Sequence, residues 1–152
     1  MNYMKLIMTG LLAIGLLSFT ACAAGKKKSK TAQEQGTGAV LTQKWMITEM
    51  RGTTKEELIK FGAFISFNKD MNGSAYMGCN GISFQYKLNK AQGISMSNVL
   101  STMRYCEDSS PIENRFSQEI VKAEYQYEIK GHFLYLKDSK GVYIKAIRPD
   151  WD

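Results

Sequence analysis

Apolar and polar residues alternate along most of residues 42–150, which is the period of β-strands that bury one face. In the clearest run, apolar side chains occupy every second position from Ile82 to Leu88. The pattern predicts eight strands, over residues 44–50, 62–68, 73–79, 82–88, 94–99, 125–130, 132–138 and 142–148. Turn-forming pairs such as Asn72-Gly73 and Lys130-Gly131 separate them, as expected for hairpins.

One segment repeats with the period of a helix instead. Its apolar residues recur every three or four positions, at Ile112, Phe116, Ile120 and Ala123. This stripe predicts an amphipathic helix over residues 111–124. The Ser-Pro-Ile-Glu run at 110–113 has the spacing of a capping box, with Pro at the first helical position. Residues 54–60 also hold helix formers, but the stretch is short, so we expect a loop or a single turn there.

These elements predict a mainly β fold of the β-rich α+β class. About eight antiparallel strands would form a curved sheet or small barrel, with the 111–124 helix packed on it or plugging one end. The chain has 152 residues, of which 44% are hydrophobic and 22% charged. That length and balance allow one folded domain, assigned to 42–150, and exclude a large multidomain enzyme and a disordered chain.

Residues 1–21 have the pattern of a lipoprotein signal peptide. Lys5 precedes an apolar stretch, Leu6–Phe19, which is too short to span a bilayer core of about 30 Å comfortably. The following Thr20-Ala21-Cys22 resembles the lipobox of bacterial lipoproteins, in which the cysteine becomes the mature N-terminus and carries acyl chains. The resemblance implies lipid attachment at Cys22. A plain secretory signal with a chance cysteine is the alternative.

Residues 22–41 are expected to be the lipidated cysteine and a flexible polar tether. The segment has no aromatic residue and is rich in Lys, Gln, Gly, Thr and Ala, so it cannot bury enough apolar surface to fold. Its lysines at 26–28 and 30 suit anionic headgroups. No acidic residue directly follows Cys22, so the familiar inner-membrane retention signal is not evident. We therefore expect an outer-membrane lipoprotein of the bacterial envelope that faces the periplasm.

The net charge of +6 is carried mainly by the residues before Val40. Residues 40–152 hold 15 Lys and Arg against 13 Asp and Glu, so the folded part is nearly neutral. A nucleic-acid-binding domain carries positive charge on its folded surface, so we expect no nucleic-acid partner. The expected partners are the membrane, through the N-terminal acyl chains, and a protein, peptide or small ligand that the sequence does not identify.

Two cysteines remain if Cys22 is lipidated. An even number in an oxidising compartment favours a disulfide between Cys79 and Cys106. The closed loop of 28 residues would stabilise the fold by about 3.6 kcal/mol in the chain-entropy model. Two buried free thiols and a redox-active pair are the alternatives. The redox pair is disfavoured because 27 positions separate the cysteines, whereas redox enzymes usually space them closely.

No other residues assemble into a recognisable catalytic or cofactor site. His132 is the single histidine, and the sequence around it has neither metal-ligand spacing nor a triad. The adjacent carboxylates at 56–57 and 107–108 are typical of solvated loop charges. We therefore expect no enzyme activity, no metal and no cofactor.

Phe133 and Tyr135 are a candidate partner face. They alternate with Leu134 and Leu136, so this predicted strand is apolar on both faces. A strand covered on both sides explains the pattern, and so does an exposed aromatic face for a protein or peptide.

Several short motifs occur in an order that is similar to a known family. They are Gly78, Cys79, Asn80 and Gly81 at a strand end, then Thr102, Met103 and Cys106, then a helix with Glu113 and Phe116, and a hairpin around 134–136. Over roughly residues 42–148 the chain resembles the META domain, the family of the HslJ-like heat-shock lipoproteins. The resemblance implies a small barrel-like sheet with a helix, an envelope location and a role in stress or antibiotic tolerance. It implies no catalytic residues, and it places a disulfide where it would pin the strand end to the segment before the helix.

The expected function is that of a membrane-tethered, non-enzymatic envelope lipoprotein whose domain is a binding or stress-tolerance module. A carrier or sensor for a small apolar ligand is the alternative, because an eight-stranded barrel can hold one such molecule. A thiol redox enzyme using Cys79 and Cys106 is a further alternative.

Overall fold

The structure is a computed structural model and describes residues 41–151. The predictions of a signal peptide and of lipid at Cys22, and nearly all of the tether, lie outside the described residues. The strands are β1 (Lys44–Met50), β2 (Phe64–Phe67), β3 (Asn72–Tyr76), β4 (Gly81–Asn89), β5 (Gly93–Ser101), β6 (Glu124–Lys130), β7 (Phe133–Asp138) and β8 (Gly141–Ile147). The helices are α1 (Lys55–Lys60) and α2 (Ser110–Glu119), with short 3-10 turns at Lys90–Gln92 and Pro149–Trp151.

The eight strands form a closed antiparallel barrel. Each strand pairs with the next along the chain, and β8 closes the barrel by pairing with β1. The register aligns Trp45 with Ile65 on one side of β1 and Ile47 with Ala146 on the other. The predicted fold class is confirmed, and of the sheet and barrel that the sequence allowed, the barrel is the one that forms.

Large side chains fill the interior of the barrel. Alternation in β4 buries Ile82, Phe84 and Tyr86 and leaves the residues between them exposed. The buried aromatic residues are Trp45, Phe67, Phe84, Tyr86, Phe116, Tyr125, Tyr127 and Tyr143. The indole Nε1 of Trp45 donates a hydrogen bond of 3.0 Å to the carbonyl of Leu41, which is itself fully buried. The interior is thus a core of interlocking side chains, as in other small barrels.

Helix α1 corrects the expectation of a loop or single turn at residues 54–60. Thr54 and Glu57 form a reciprocal capping box, in which the Thr54 hydroxyl accepts the Glu57 N–H at 3.2 Å. The Glu57 carboxylate in turn accepts the Thr54 N–H at 2.9 Å. The helix also buries Leu58 against the barrel. Cap and burial together stabilise a helix that its length alone would leave marginal.

Helix α2 differs from its prediction at both ends. Its N-cap residue is Ser109, whose side chain makes no capping hydrogen bond, so the capping box predicted at 110–113 is wrong. The helix ends at Glu119, five residues before the predicted end at 124, because the chain turns to enter β6. The Tyr125 hydroxyl donates a hydrogen bond of 2.7 Å to the Glu119 carbonyl and so satisfies one of the last carbonyls of the helix.

The connections are divided between the two ends of the barrel. Since neighbouring strands are antiparallel, all odd-numbered strands finish at the same end, which we call the distal end. The distal end carries α1, the turn at residues 77–80, and the long connection 102–123 that contains α2. The described chain enters at the opposite end, where β1 begins.

A charge pair joins two strands at the distal end. The Arg51 guanidinium donates two hydrogen bonds of 2.8 Å to the two carboxylate oxygens of Asp138, just beyond β1 and at the end of β7. This bidentate bond lowers the pKa of Asp138 to about 2, from an ordinary value of 3.8. The pair therefore adds a pH-dependent contribution to stability.

We expect Asp138→Asn to lower the free energy of unfolding at pH 7 by about 1 kcal/mol. The folded-state pKa of Asp138 is depressed, so its stabilisation is present above its unfolded-state pKa and is lost as pH falls through the folded-state value. Urea unfolding of the two proteins should therefore converge between pH 4 and pH 2. Asp108→Asn, which removes an exposed pair with Lys60, is the control and should change little. A difference between Asp138→Asn and the wild type that does not depend on pH would contradict this account.

Candidate functional site

The distal end brings together the motif residues that were separated in the sequence. Gly78 to Asn80 form the turn between β3 and β4, Gly81 begins β4, and Thr102 follows β5. The Gly81 N–H donates to the Thr102 hydroxyl at 3.2 Å, and the Thr102 N–H donates to the Gly81 carbonyl at 3.1 Å. The two motifs are therefore neighbours across the β4–β5 pair.

A disulfide links the same two parts of the chain. Cys79 and Cys106 are bonded, with a Cα–Cα distance of 6.3 Å, within the usual range for disulfides. The predicted disulfide is confirmed, and the alternative of two free thiols is not what the structure shows. The bond pins the turn before β4 to the segment that leads into α2.

Asn80 supports the connection after β5 in the way a neighbouring strand would. Its side chain is buried, with 5% of the residue exposed. The amide Nδ2 donates to the Arg104 carbonyl at 2.9 Å, and the Arg104 N–H donates to Oδ1 at 2.9 Å. Oδ1 also accepts the Thr102 hydroxyl at 2.8 Å. One side chain therefore pairs both backbone groups of Arg104 and fixes the course of that segment.

Glu113, on helix α2, holds the turn before β4 and the Asn80 side chain in place. It is not among the site residues predicted from the sequence. It is 5% exposed on α2, and its Oε1 accepts the backbone N–H groups of Cys79 at 2.8 Å and Asn80 at 2.6 Å. Its Oε2 accepts the Asn80 side-chain amide at 2.7 Å. A buried carboxylate needs such donors. The sequence signal was a glutamate directly beside the apolar stripe of the helix, which we interpreted as a cap.

Gly78 is required by the space around the turn. Its φ of +125° is one that side-chain-bearing residues rarely adopt, and a Cβ there would lie 2.7 Å from the Phe61 ring and 2.8 Å from Ser109 Cβ. The Gly78 carbonyl accepts the Tyr76 hydroxyl at 2.8 Å, and the Cys79 carbonyl accepts Arg104 Nη2 at 2.6 Å. These contacts fix the backbone path of the turn and require glycine at position 78.

The network presents a short exposed segment, residues 101–105, which we call the display segment. Met103 is 98% exposed and Tyr105 is 85% exposed, whereas the Arg104 between them is bonded to Asn80 and Cys79. A cleft of about 360 Å³ separates the display segment from α2. It is lined by Asn80, Glu113, Ser110, Asn114, Ser117 and the segment itself.

The predicted partner face at Phe133 and Tyr135 is a separate feature. Both side chains are half-buried on the outside of β7, while Leu134 and Leu136 point into the core. Lys145 Nζ lies 5.0 Å from the centre of the Phe133 ring, and Lys137 Nζ lies 5.6 Å from that of Tyr135. The inner face of β7 is covered by the core, and lysine side chains partly cover the aromatic rings on its outer face. This explains why the strand is apolar on both faces.

We call the hydrogen-bonded group formed by residues 78–81, residues 102–106 and Glu113 the distal cluster. The remaining chemistry-bearing residues do not join it. His132 lies at the other end of the barrel and stacks on Trp151, with ring centres 3.6 Å apart. Within residues 41–151, no three His, Cys, Asp or Glu side chains are grouped to hold a metal ion. In the same part of the chain, no helix has the length and apolarity needed to cross a bilayer.

Comparison with known proteins assigns the family. The family model of the META domain matches residues 37–151. The chain belongs to the META domain family. This confirms the resemblance seen in the motifs, and the META domain is not a known enzyme family. Comparison with curated proteins gives no match.

Solved structures support the META barrel at the level of the fold. A crystal structure of a DUF4847 family protein from Bacteroides vulgatus has a TM-score of 0.56 at 13% identity, covering 74% of this chain and 96% of that one. An NMR structure of a protein from Burkholderia xenovorans has a TM-score of 0.54 at 14% identity, covering 72% and 84%. Another NMR structure has a TM-score of 0.54 at 19% identity, covering 70% and 90%. At these identities the likeness shows the fold alone.

We expect Glu113→Gln to destabilise the domain by about 1–3 kcal/mol, because the new amide nitrogen would face N–H donors and leave at least one buried donor unpaired. Glu119→Gln is the matched control on the same helix, since its carboxylate is partly exposed and forms an exposed ion pair with Lys122. Urea unfolding at neutral pH measures both variants. Equal effects of the two substitutions would show that the buried carboxylate has no special role.

We expect replacement of both Cys79 and Cys106 by Ala to lower the free energy of unfolding by about 3–4 kcal/mol. The wild type unfolded in the presence of a reductant should lose a similar amount, which separates the bond from the substitutions themselves. A double variant as stable as the oxidised wild type would mean that the disulfide does not stabilise the fold.

Proposed function

We propose that this META domain protein is an outer-membrane lipoprotein of the bacterial envelope, anchored by acyl chains on Cys22 and facing the periplasm. Its domain acts as a non-enzymatic binding module that supports tolerance of envelope stress. The observation that carries the proposal is the distal cluster, which holds two exposed apolar side chains, Met103 and Tyr105, on a braced backbone.

The chemistry of the cluster favours binding over catalysis. The Glu113 carboxylate accepts three internal N–H groups, and the Asn80 amide is hydrogen-bonded through both its oxygen and its nitrogen. The two cysteines are bonded to each other. These groups position the backbone and leave no free base or nucleophile among themselves. Exposed methionine and tyrosine side chains, by contrast, are enriched at protein interfaces.

The display segment lies far from the point at which the described chain enters the barrel. The described chain enters β1 at one end of the barrel, and the display segment lies at the other.

The two alternatives have less support. A carrier for a small apolar ligand needs space inside the barrel, and buried aromatic side chains occupy that interior. A redox enzyme usually has closely spaced cysteines, whereas Cys79 and Cys106 are 27 positions apart; Cys79 is 4% exposed and Cys106 is half-buried.

We expect Cys22→Ala to release the protein from the membrane fraction of its native bacterium, because the acyl chains supply the anchoring energy. Intact mass should show acylated Cys22 in the wild type and none in the variant. Ser29→Ala, in the same tether, is the control and should stay membrane-bound. A Cys22→Ala protein that remains in the membrane would disprove the anchor. A deletion strain with normal survival under detergent or antibiotic stress would remove the stress role.

A further inference from the structure

Strand β5 has an open edge over its second half. It pairs with β6 only at Gly93, Ile94 and Ser95, although it continues to Ser101. Its other side pairs with β4 from Gly93 to Ser101, with one register shift between Ser97 and Leu100. Within residues 41–151, no strand pairs with β5 on the β6 side beyond Ser95. Strand β5 therefore lacks a paired strand on its β6 side from Met96 onward.

The display segment extends that open edge. Thr102 and Arg104 both direct backbone groups toward β4, where they bond to Gly81 and to the Asn80 side chain. Alternate residues of an extended chain direct their N–H and C=O groups to opposite sides. Ser101, Met103 and Tyr105 therefore direct theirs away from β4. Within residues 41–151, the backbone N–H and C=O groups of Met103 and Tyr105 have no hydrogen-bond partner, and Ser101 has a neighbouring strand only on its β4 side.

The cleft beside this edge is bounded by helix α2. The helix contributes Ser110, Asn114 and Ser117, spaced four and three residues apart and so on one face. These side chains are small and polar, so another backbone can approach between the helix and the display segment. A cleft between a strand edge and a helix is the geometry in which an added β-strand binds.

Exposed apolar side chains adjoin the same edge. Leu100 is 70% exposed, and Met103 and Tyr105 are still more exposed. An added strand would cover such side chains with its own alternate residues. The free backbone groups and the exposed side chains therefore call for the same kind of partner.

We propose that the cleft between the display segment and α2 binds an extended peptide segment of a partner protein, which adds a strand to the β5 edge. The peptide backbone pairs with Ser101, Met103 and Tyr105, and its apolar side chains cover Met103 and Tyr105. This inference rests on the proposed function only in taking the ligand to be a protein.

Other occupants fit the cleft less well. An anionic lipid surface is disfavoured because the acidic residues Glu107 and Asp108 lie just after the display segment, beyond Cys106. A second barrel approaching edge to edge meets α2, which stands beside the free edge. A single extended segment avoids both obstacles.

The test uses the full mature chain and a phage-displayed library of linear dodecapeptides. The most enriched peptide is synthesised in three forms: one unmodified, and two with N-methyl groups on alternate residues, one for each of the two registers. N-methylated residues cannot donate backbone hydrogen bonds. We expect the register that methylates the N–H groups facing the β5 edge to weaken binding by about tenfold or more. Amide resonances of Ser101, Met103 and Tyr105 should shift on binding of the unmodified peptide.

A pair of variants on α2 locates the site. Ser117→Arg places a long side chain in the cleft and should abolish peptide binding. Gln118→Arg makes the same substitution at the next, exposed position, which does not line the cleft, and should leave binding unchanged. Circular dichroism and thermal unfolding confirm that both variants are folded.

Three results would overturn the strand-addition proposal. They are the absence of an enriched peptide, binding that neither N-methylation nor Ser117→Arg weakens, and self-association of the chain that Ser117→Arg abolishes, which would make the occupant a second copy. Cys22→Ala protein is carried through the same assay. Because peptide binding by this variant is independent of anchoring, failure of the anchor and failure of strand addition are distinguishable.

Discussion

The distal end of this barrel depends on one buried carboxylate. Glu113 is only 5% exposed, so its carboxylate depends mainly on donors within the protein, and Cys79 and Asn80 supply them. The apolar neighbours Ile112 and Phe116 hold the helix on the barrel but accept small shifts along it. Hydrogen bonds to a charge do not, because their energy falls steeply with distance and angle. The carboxylate therefore sets the position of α2 relative to the start of β4.

A series of contacts connects the fixed position of α2 to the display segment and orders it. Glu113 orients Asn80, Asn80 pairs with the backbone of Arg104, and the disulfide prevents the two chain segments from separating. The result is an apolar surface at the end of a rigid support. A surface that is already ordered loses little conformational entropy when it binds, so more of its contact energy appears as affinity. The buried hydrogen bonds of the distal end thus fix the backbone that carries the exposed Met103 and Tyr105.

The sequence was sufficient for the strands, left a curved sheet or a barrel open, and was insufficient for the site. Alternation located the strands because most of them bury every second side chain, although β5 and β8 interrupt the pattern. Counting cysteines led to the disulfide. The Ser110–Glu113 spacing was misleading, because it does not reveal whether a glutamate reaches back to its own helix or across to Asn80 in the turn before β4. Thr54 was underestimated for the related reason that a short helix depends on its cap and on tertiary burial. The exposure of Met103 and Tyr105 follows from no periodicity at all.

The double pairing of β1 has a mechanical consequence. This strand carries the connection to the preceding chain and is hydrogen-bonded to β2 on one side and to β8 on the other. A force that pulls the start of β1 along the barrel axis, against a load held at the far end, acts parallel to both ladders. The hydrogen bonds then share the load in shear and must break together, whereas a peeling force would break them one at a time. The two ladders beside β1 therefore resist a pull along that strand better than a pull across it.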